Sequence, residues 1–149
     1  MAEFKKTGRA IIEYIEKGKL NIITIKRTKK IEGKKVEYYS IPGGHLEGDE
    51  TFVEATKREL KEELNVEINI KEEILFLRND DLKKDEMFYI AKIKSGNLSK
   101  GNGPEWENED FEKYGKYEIC LLDVKKISKY NLLPVQVKQI LIDRYNKKS

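Results

Sequence analysis

The chain has 149 residues, 38% apolar and 38% charged, which suits one domain with a modest core and excludes a disordered segment. A net charge of +3 excludes a strongly basic nucleic-acid binder, and no apolar run is long enough for a signal peptide or a membrane-spanning helix. One cysteine, Cys120, excludes an internal disulfide framework and fits the reducing cytoplasm; one histidine, His45, excludes a multi-histidine metal centre.

Along the chain, "GRAIIEYIEKGKLNIITIKRT" predicts two strands around a Lys17-Gly18 turn. A charged loop, "KKIEGKK", leads into the β-rich run "VEYYSIPGG", ended by Pro42 and two glycines. A helix follows, with Asp49 or Glu50 near its N-terminus and a buried stripe of Phe52, Val53, Ala55, Thr56, Leu60 and Leu64. "VEINIKEEILFLRND" and "EMFYIAKIKSG" predict two more strands, then comes a polar loop, "NLSKGNGPEWENEDFEKYGK". "YEICLLDVKKI" predicts a late strand that buries Cys120, and "LPVQVKQILIDRYNKK" a last helix with Pro134 in its first turn. Nothing marks a domain boundary, so a single domain over 1–149 is expected. Strands on both sides of a helix imply an α/β (α+β) fold with a mixed sheet covered on its faces.

The helix poses a physical question. Glu59, Glu62 and Glu63 repel one another at spacings of three and four, at roughly 0.2–0.5 kcal/mol per pair. Lys57, Arg58 and Lys61 are interleaved with them, and a solvated, charge-laced face is the ordinary explanation. The same spacing sets three carboxylates on one exposed helix face, a hard-oxygen site suited to Mg²⁺ or Mn²⁺. A bound cation would remove the repulsion.

Gly44 is followed by five residues and Glu50, then by seven residues and Arg58-Glu59-Leu60-Lys61-Glu62-Glu63-Leu64-Asn65-Val66. This pattern resembles the Nudix box, G-x5-E-x7-R-E-U-x-E-E-x-G-U with U aliphatic. Asn65 stands where the family has glycine, and Asn is the next-best residue for a left-handed helix end. The resemblance implies a Nudix-type α/β/α sandwich with a mixed β-sheet between helices. It also implies metal-dependent hydrolysis of a phosphoanhydride in a nucleoside diphosphate linked to another moiety. The expected partner is a small nucleotide or nucleoside-diphosphate derivative, with neither nucleic acid nor membrane.

Carried over by position, Glu62 and Glu63 are the principal ligands of Mg²⁺ or Mn²⁺, and Glu59 orients or deprotonates the attacking water. Arg58 and Glu50 brace the helix, and a carbonyl of the Gly43-Gly44 turn ligates the metal. Some Nudix enzymes take a base from a distal loop; here Glu105 is the candidate for base or metal ligand. Arg27 matches a phosphate-binding arginine, Tyr39, Phe88 and Trp106 are candidates for stacking on a base, and His45 for touching phosphate. Subgroup markers of ADP-ribose and dinucleoside polyphosphate hydrolases are missing near Asp80–Leu82. Asn131 lies near Pro134, one residue off the spacing of 8-oxo-dGTP hydrolases, which inclines the reading to a nucleoside triphosphate pyrophosphohydrolase. The alternatives are a non-catalytic nucleotide sensor and an isopentenyl-diphosphate-type isomerase, which would need a catalytic cysteine.

Overall fold

The computed structural model describes residues 3–99 and 115–146. The chain divides into two compact units, each assembled from separated segments: residues 1–13 with 42–102, and residues 14–41 with 103–149.

The first unit is organised by a long strand, β1 (Lys5–Glu16), whose last three residues belong to the second unit. β1 pairs in parallel with β6 (Lys84–Gly96) and antiparallel with the short β4 (Gly43–His45), while β6 pairs antiparallel with β5 (Val66–Asn79). Ala10, Ile11, Ile12, Phe88, Ile90 and Ala91 are buried along β1 and β6, as a strand covered on both faces requires. Helix α1 (Phe52–Leu64) buries Ala55, Thr56, Leu60 and Leu64; each buried leucine contributes about 2–3 kcal/mol. Phe52 and Val53 are only half-buried, so the predicted stripe narrows at its start.

Asp49 and Glu50 lie just before the helix, near its N-terminus as expected. Thr51 is the N-cap and accepts from the Glu54 amide, while the Glu54 carboxylate accepts from the Thr51 amide, so two orphan donors are satisfied reciprocally. Asn65 ends the helix in the left-handed region (φ 60°), and its amide donates to the Lys61 carbonyl. At Gly8 an added Cβ would lie 2.1 Å from Thr56 Oγ1 and 2.7 Å from the Phe52 carbonyl oxygen. The missing side chain lets α1 lie directly on β1, which fixes the helix relative to β4.

In the second unit β2 (Lys19–Ile31) pairs antiparallel with β3 (Lys34–Ser40) and with β7 (Lys116–Asp123), and β3 pairs in parallel with the short β8 (Leu132–Leu133). The charged run "KKIEGKK" is not a loop: both strands extend into it, leaving a two-residue turn at Glu32-Gly33 with φ of 52° and 78°. Lys17-Gly18 repeats that geometry at 51° and 75°, the positive-φ pair that matches strand twist in tight hairpins. Past β7 the chain forms a 3₁₀ helix (Val124–Lys129), capped by Asp123, which shortens the predicted late strand. Helix α2 (Val135–Tyr145) packs on the 3₁₀ helix and β8 through Val137 and Leu141, with Pro134 just outside it as N-cap. Both units are therefore mixed sheets carrying helices, the α+β class expected. No helix among the described residues is long and apolar enough to cross a membrane.

Candidate active site

The first unit brings β4, the turn after it and one side of α1 together around Arg58. Its Nε and Nη2 hold both oxygens of Glu50, at 2.8 and 3.0 Å, the paired geometry that a planar guanidinium forms best. Nη2 also donates to the His45 carbonyl (2.9 Å), tying the helix to the strand after the glycines. Nη1 reaches Glu59 (3.0 Å) and Glu62 (3.2 Å), with Glu47 at 3.6 Å. Glu50 is fixed from a second side, because its Oε1 accepts from the Glu47 amide at 2.8 Å. The Arg58 guanidinium, then that amide, hold the Glu50 carboxyl below the usual carboxylate range; Glu50 and Glu59 in turn raise Arg58 above its ordinary value.

Gly44 explains how Glu59 sits so close to the strand. A Cβ at Gly44 would stand 2.3 Å from Glu59 Cδ and 2.6 Å from each carboxylate oxygen, so any side chain there displaces the carboxylate. Gly43 is as tightly placed, since its Cβ would meet the Gly8 carbonyl oxygen at 2.1 Å across the β1–β4 pairing. The glycine pair thus forms a cradle in which backbone and carboxylate oxygen approach one another.

The three helix carboxylates do not share one exposed face. Glu62 is half exposed, with 50% of its side chain accessible, whereas Glu63 is buried at 7%. Among the described residues no group of three or more His, Cys, Asp or Glu side chains is gathered as a metal site, and the Arg58 Nη1 stands between Glu59 and Glu62 instead. The donor chemistry nonetheless fits a hard divalent cation: oxygen donors only, with the Glu59 carboxylate cradled against Gly44.

His45 shares a 3.0 Å hydrogen bond with Thr7 Oγ1, opposite it in the β1–β4 register. Partial burial of the ring, then the charges of Lys5, Arg9 and Lys84, push its pKa below the ordinary value, so the ring is neutral at pH 7. Phe88 corrects an expectation: it is fully buried in β6 and offers no surface on which a base could stack. Arg27 and Tyr39 lie in the second unit. The Arg27 guanidinium donates to the Tyr117 hydroxyl and lies 4.4 Å from the Tyr117 ring and 5.5 Å from the Tyr38 ring. Its Nε is buried without a partner among the described residues. Tyr39 meets Tyr130 edge-on at 5.3 Å, and Cys120 is half-buried, its thiol pushed up by that burial. Glu105 and Trp106 lie outside the described residues.

Sequence reasoning missed Glu47, Thr7, Tyr38 and Tyr117. Glu47 carried a faint signal, three residues before Glu50 in a turn; the others depend on strand register and carried none.

A profile described as "NUDIX domain" matches residues 5–136. No curated protein sequence matches the chain. Among solved structures, a NUDIX hydrolase from Nitrosomonas europaea is 18% identical with a TM-score of 0.68, covering 99% of this chain and 76% of its own. The E. coli ORF135 protein is 18% identical with a TM-score of 0.65, over 99% and 95%. The C. elegans Ap4A hydrolase is 18% identical with a TM-score of 0.60, over 95% and 96%.

Proposed function

The chain belongs to the NUDIX domain family, whose hydrolases act on nucleoside diphosphates linked to another moiety, and from that premise we propose that it is a divalent-metal-dependent nucleoside triphosphate pyrophosphohydrolase. The observation that carries this reading is the Glu59 carboxylate seated in the Gly44 cradle while Arg58 clamps Glu50 and the His45 carbonyl. Glu62, Glu63 and the Gly43 carbonyl are the groups that would hold Mg²⁺ or Mn²⁺. When bound, the cation supplies charge neutralisation for the diphosphate and a water of lowered pKa.

The remaining work belongs to the chain. Glu59 accepts the proton of the attacking water, and the cradle fixes the direction from which it does so. Arg58 holds helix and strand in one geometry, so that the carboxylates move little as charge develops. Arg27 is the candidate for binding phosphate, Tyr39 and Trp106 are those for stacking on a base, and His45, whose pKa is lowered by burial, is that for touching a phosphate oxygen. Glu105 is the distal candidate for base or ligand. We take residues 1–149 as one NUDIX domain, because the matched segment draws on both units. The single cysteine supports the cytoplasm as its compartment. An isomerase would need an activated thiol, and burial raises the Cys120 pKa away from that role.

The test is a product-release assay over nucleoside triphosphates, 8-oxo-dGTP, dinucleoside polyphosphates and nucleoside diphosphate sugars, with Mg²⁺ or Mn²⁺. Pyrophosphate and a monophosphate from a triphosphate are expected. Turnover of no member of the set with either metal overturns the reading.

A further inference from the structure

On the side of α1 away from Gly44, Lys57 and Lys61 face Asn69 of β5 and Lys94 of β6 across a groove of about 290 Å³, which Arg58 and Glu67 also line. Lys57 and Lys61 are one helical turn apart, the spacing at which like charges destabilise a helix. The arginines of this unit, by contrast, are matched: Arg9 to Glu86, Arg78 to Asp85, Arg58 to Glu50. Among the described residues the side chains of Lys57, Lys61 and Lys94 have no hydrogen-bond or ion-pair partner. The one carboxylate present, Glu67, accepts a hydrogen bond from Ser95 Oγ at 3.0 Å.

We infer that this groove binds a phosphate oxyanion, through the ammonium groups of Lys57, Lys61 and Lys94 and the Asn69 amide. The three lysines outnumber Glu67, and an anion between them turns mutual repulsion into attraction. Lysines are point charges with rotatable donors, which suits an ion of tetrahedral oxygens better than a planar carboxylate. Volume allows more than a single phosphate, so an oligophosphate fits. Arg58 lines the groove with one side and meets Glu59 and Glu62 with the other, so an anion seated here lies next to the residue that braces the carboxylates.

Two sources share this chemistry: the distal phosphates of a long substrate, and a free inorganic oligophosphate. Binding of inorganic tripolyphosphate is measured first by calorimetry and thermal melting, in EDTA at low salt, so that hydrolysis plays no part. Wild-type protein should bind, with the midpoint raised by about 3–6 °C at ten times the Kd. Lys57→Gln/Lys61→Gln/Lys94→Gln should bind at least fivefold more weakly, and Lys19→Gln/Lys34→Gln/Lys35→Gln, exposed residues of equal charge loss, should bind as wild type. Equal weakening in both triple variants, or no binding by wild type, overturns the inference. With Mg²⁺ present, a KM raised in the first variant for tetraphosphate but not triphosphate substrates assigns the groove to substrate. Unchanged KM values together with lost tripolyphosphate binding assign it to a free anion. Because the first arm needs no turnover, its failure is separate from failure of the hydrolytic reading.

Discussion

Arg58 and Arg27 are set in opposite kinds of surroundings. Arg58, in the first unit, spends its donors on Glu50, Glu59, Glu62 and a backbone carbonyl, all held by a helix and a strand. Arg27, in the second, has a tyrosine hydroxyl and two aromatic faces, and its Nε is buried without a partner among the described residues. An arginine saturated with carboxylates braces a structure. One stacked on aromatics with an unmatched donor is held flat yet short of an acceptor, the condition of a receptor for an anion. The same residue type thus stands in two settings, separated by what its neighbours leave unsatisfied.

The largest effect should come from the carboxylates of α1. Glu62→Gln and Glu63→Gln are each expected to lower turnover at saturating Mg²⁺ at least about a hundredfold, since electrostatic stabilisation of the transition state is usually the dominant contribution. They should differ in stability. Glu62 is half exposed and its replacement should leave the melting midpoint nearly unchanged, whereas Glu63 is buried and its replacement should shift it. Near-normal turnover in both variants would reduce the Arg58 network to a surface ornament of the fold.

Next in size are the arginines themselves, and here the comparison predicts opposite signs. Arg58→Lys keeps the charge but loses the paired hydrogen bonds to Glu50 and the reach to the His45 carbonyl. Denaturant unfolding should show a loss of about 2 kcal/mol, below the range for fully buried pairs because these side chains retain some exposure. Arg27→Met removes a buried unmatched donor and should be neutral or stabilising by up to about 1 kcal/mol. The same substitution should raise KM about tenfold with little change in kcat, the pattern of a group that binds substrate and transition state alike. A large stability loss in Arg27→Met with unchanged KM would make Arg27 a second brace and dissolve the contrast.

How much of this was legible in the chain depends on which distances in sequence the feature spans. The hairpin at Lys17-Gly18 and the carboxylate spacing on α1 are local, and both were readable. The reciprocal cap of Thr51 and Glu54 was equally local, a T-x-x-E signal ahead of an apolar stripe, and was passed over in favour of the acidic residues before it. The exposure expected of Glu63 was overturned, because helical spacing says which residues share a face but not how wide the covered face is. Phe88 was a candidate for stacking because it is aromatic; the structure pairs its strand in parallel with β1 and buries it fully. The Arg27 setting was not readable at all. It needs Tyr38 and Tyr117 opposite Arg27 in two different strands, a register fixed by pairing across 90 residues of chain.

The smallest effect, and the one that probes both regions in a single titration, is the pH dependence of stability. In the first unit the Glu50 carboxyl is held low by Arg58, so its folded pKa lies below its unfolded one. Its contribution is complete above the unfolded pKa, about 4.3, and is lost as pH falls through the folded value, because the unfolded chain takes up the proton first. In the second unit burial raises the Tyr39 hydroxyl and the Cys120 thiol above their ordinary values. Their contributions are complete below the unfolded pKa values, near 10 and 8.5, and are lost as pH rises through the folded ones. Melting midpoints from pH 3 to 11 should therefore fall at both ends, for different reasons. Glu50→Gln should flatten the acid limb and leave the alkaline limb as it is, while Tyr39→Phe should flatten only the alkaline limb. If either substitution changed both limbs equally, the acid-labile network and the alkali-labile sheet would not be separate features of the molecule.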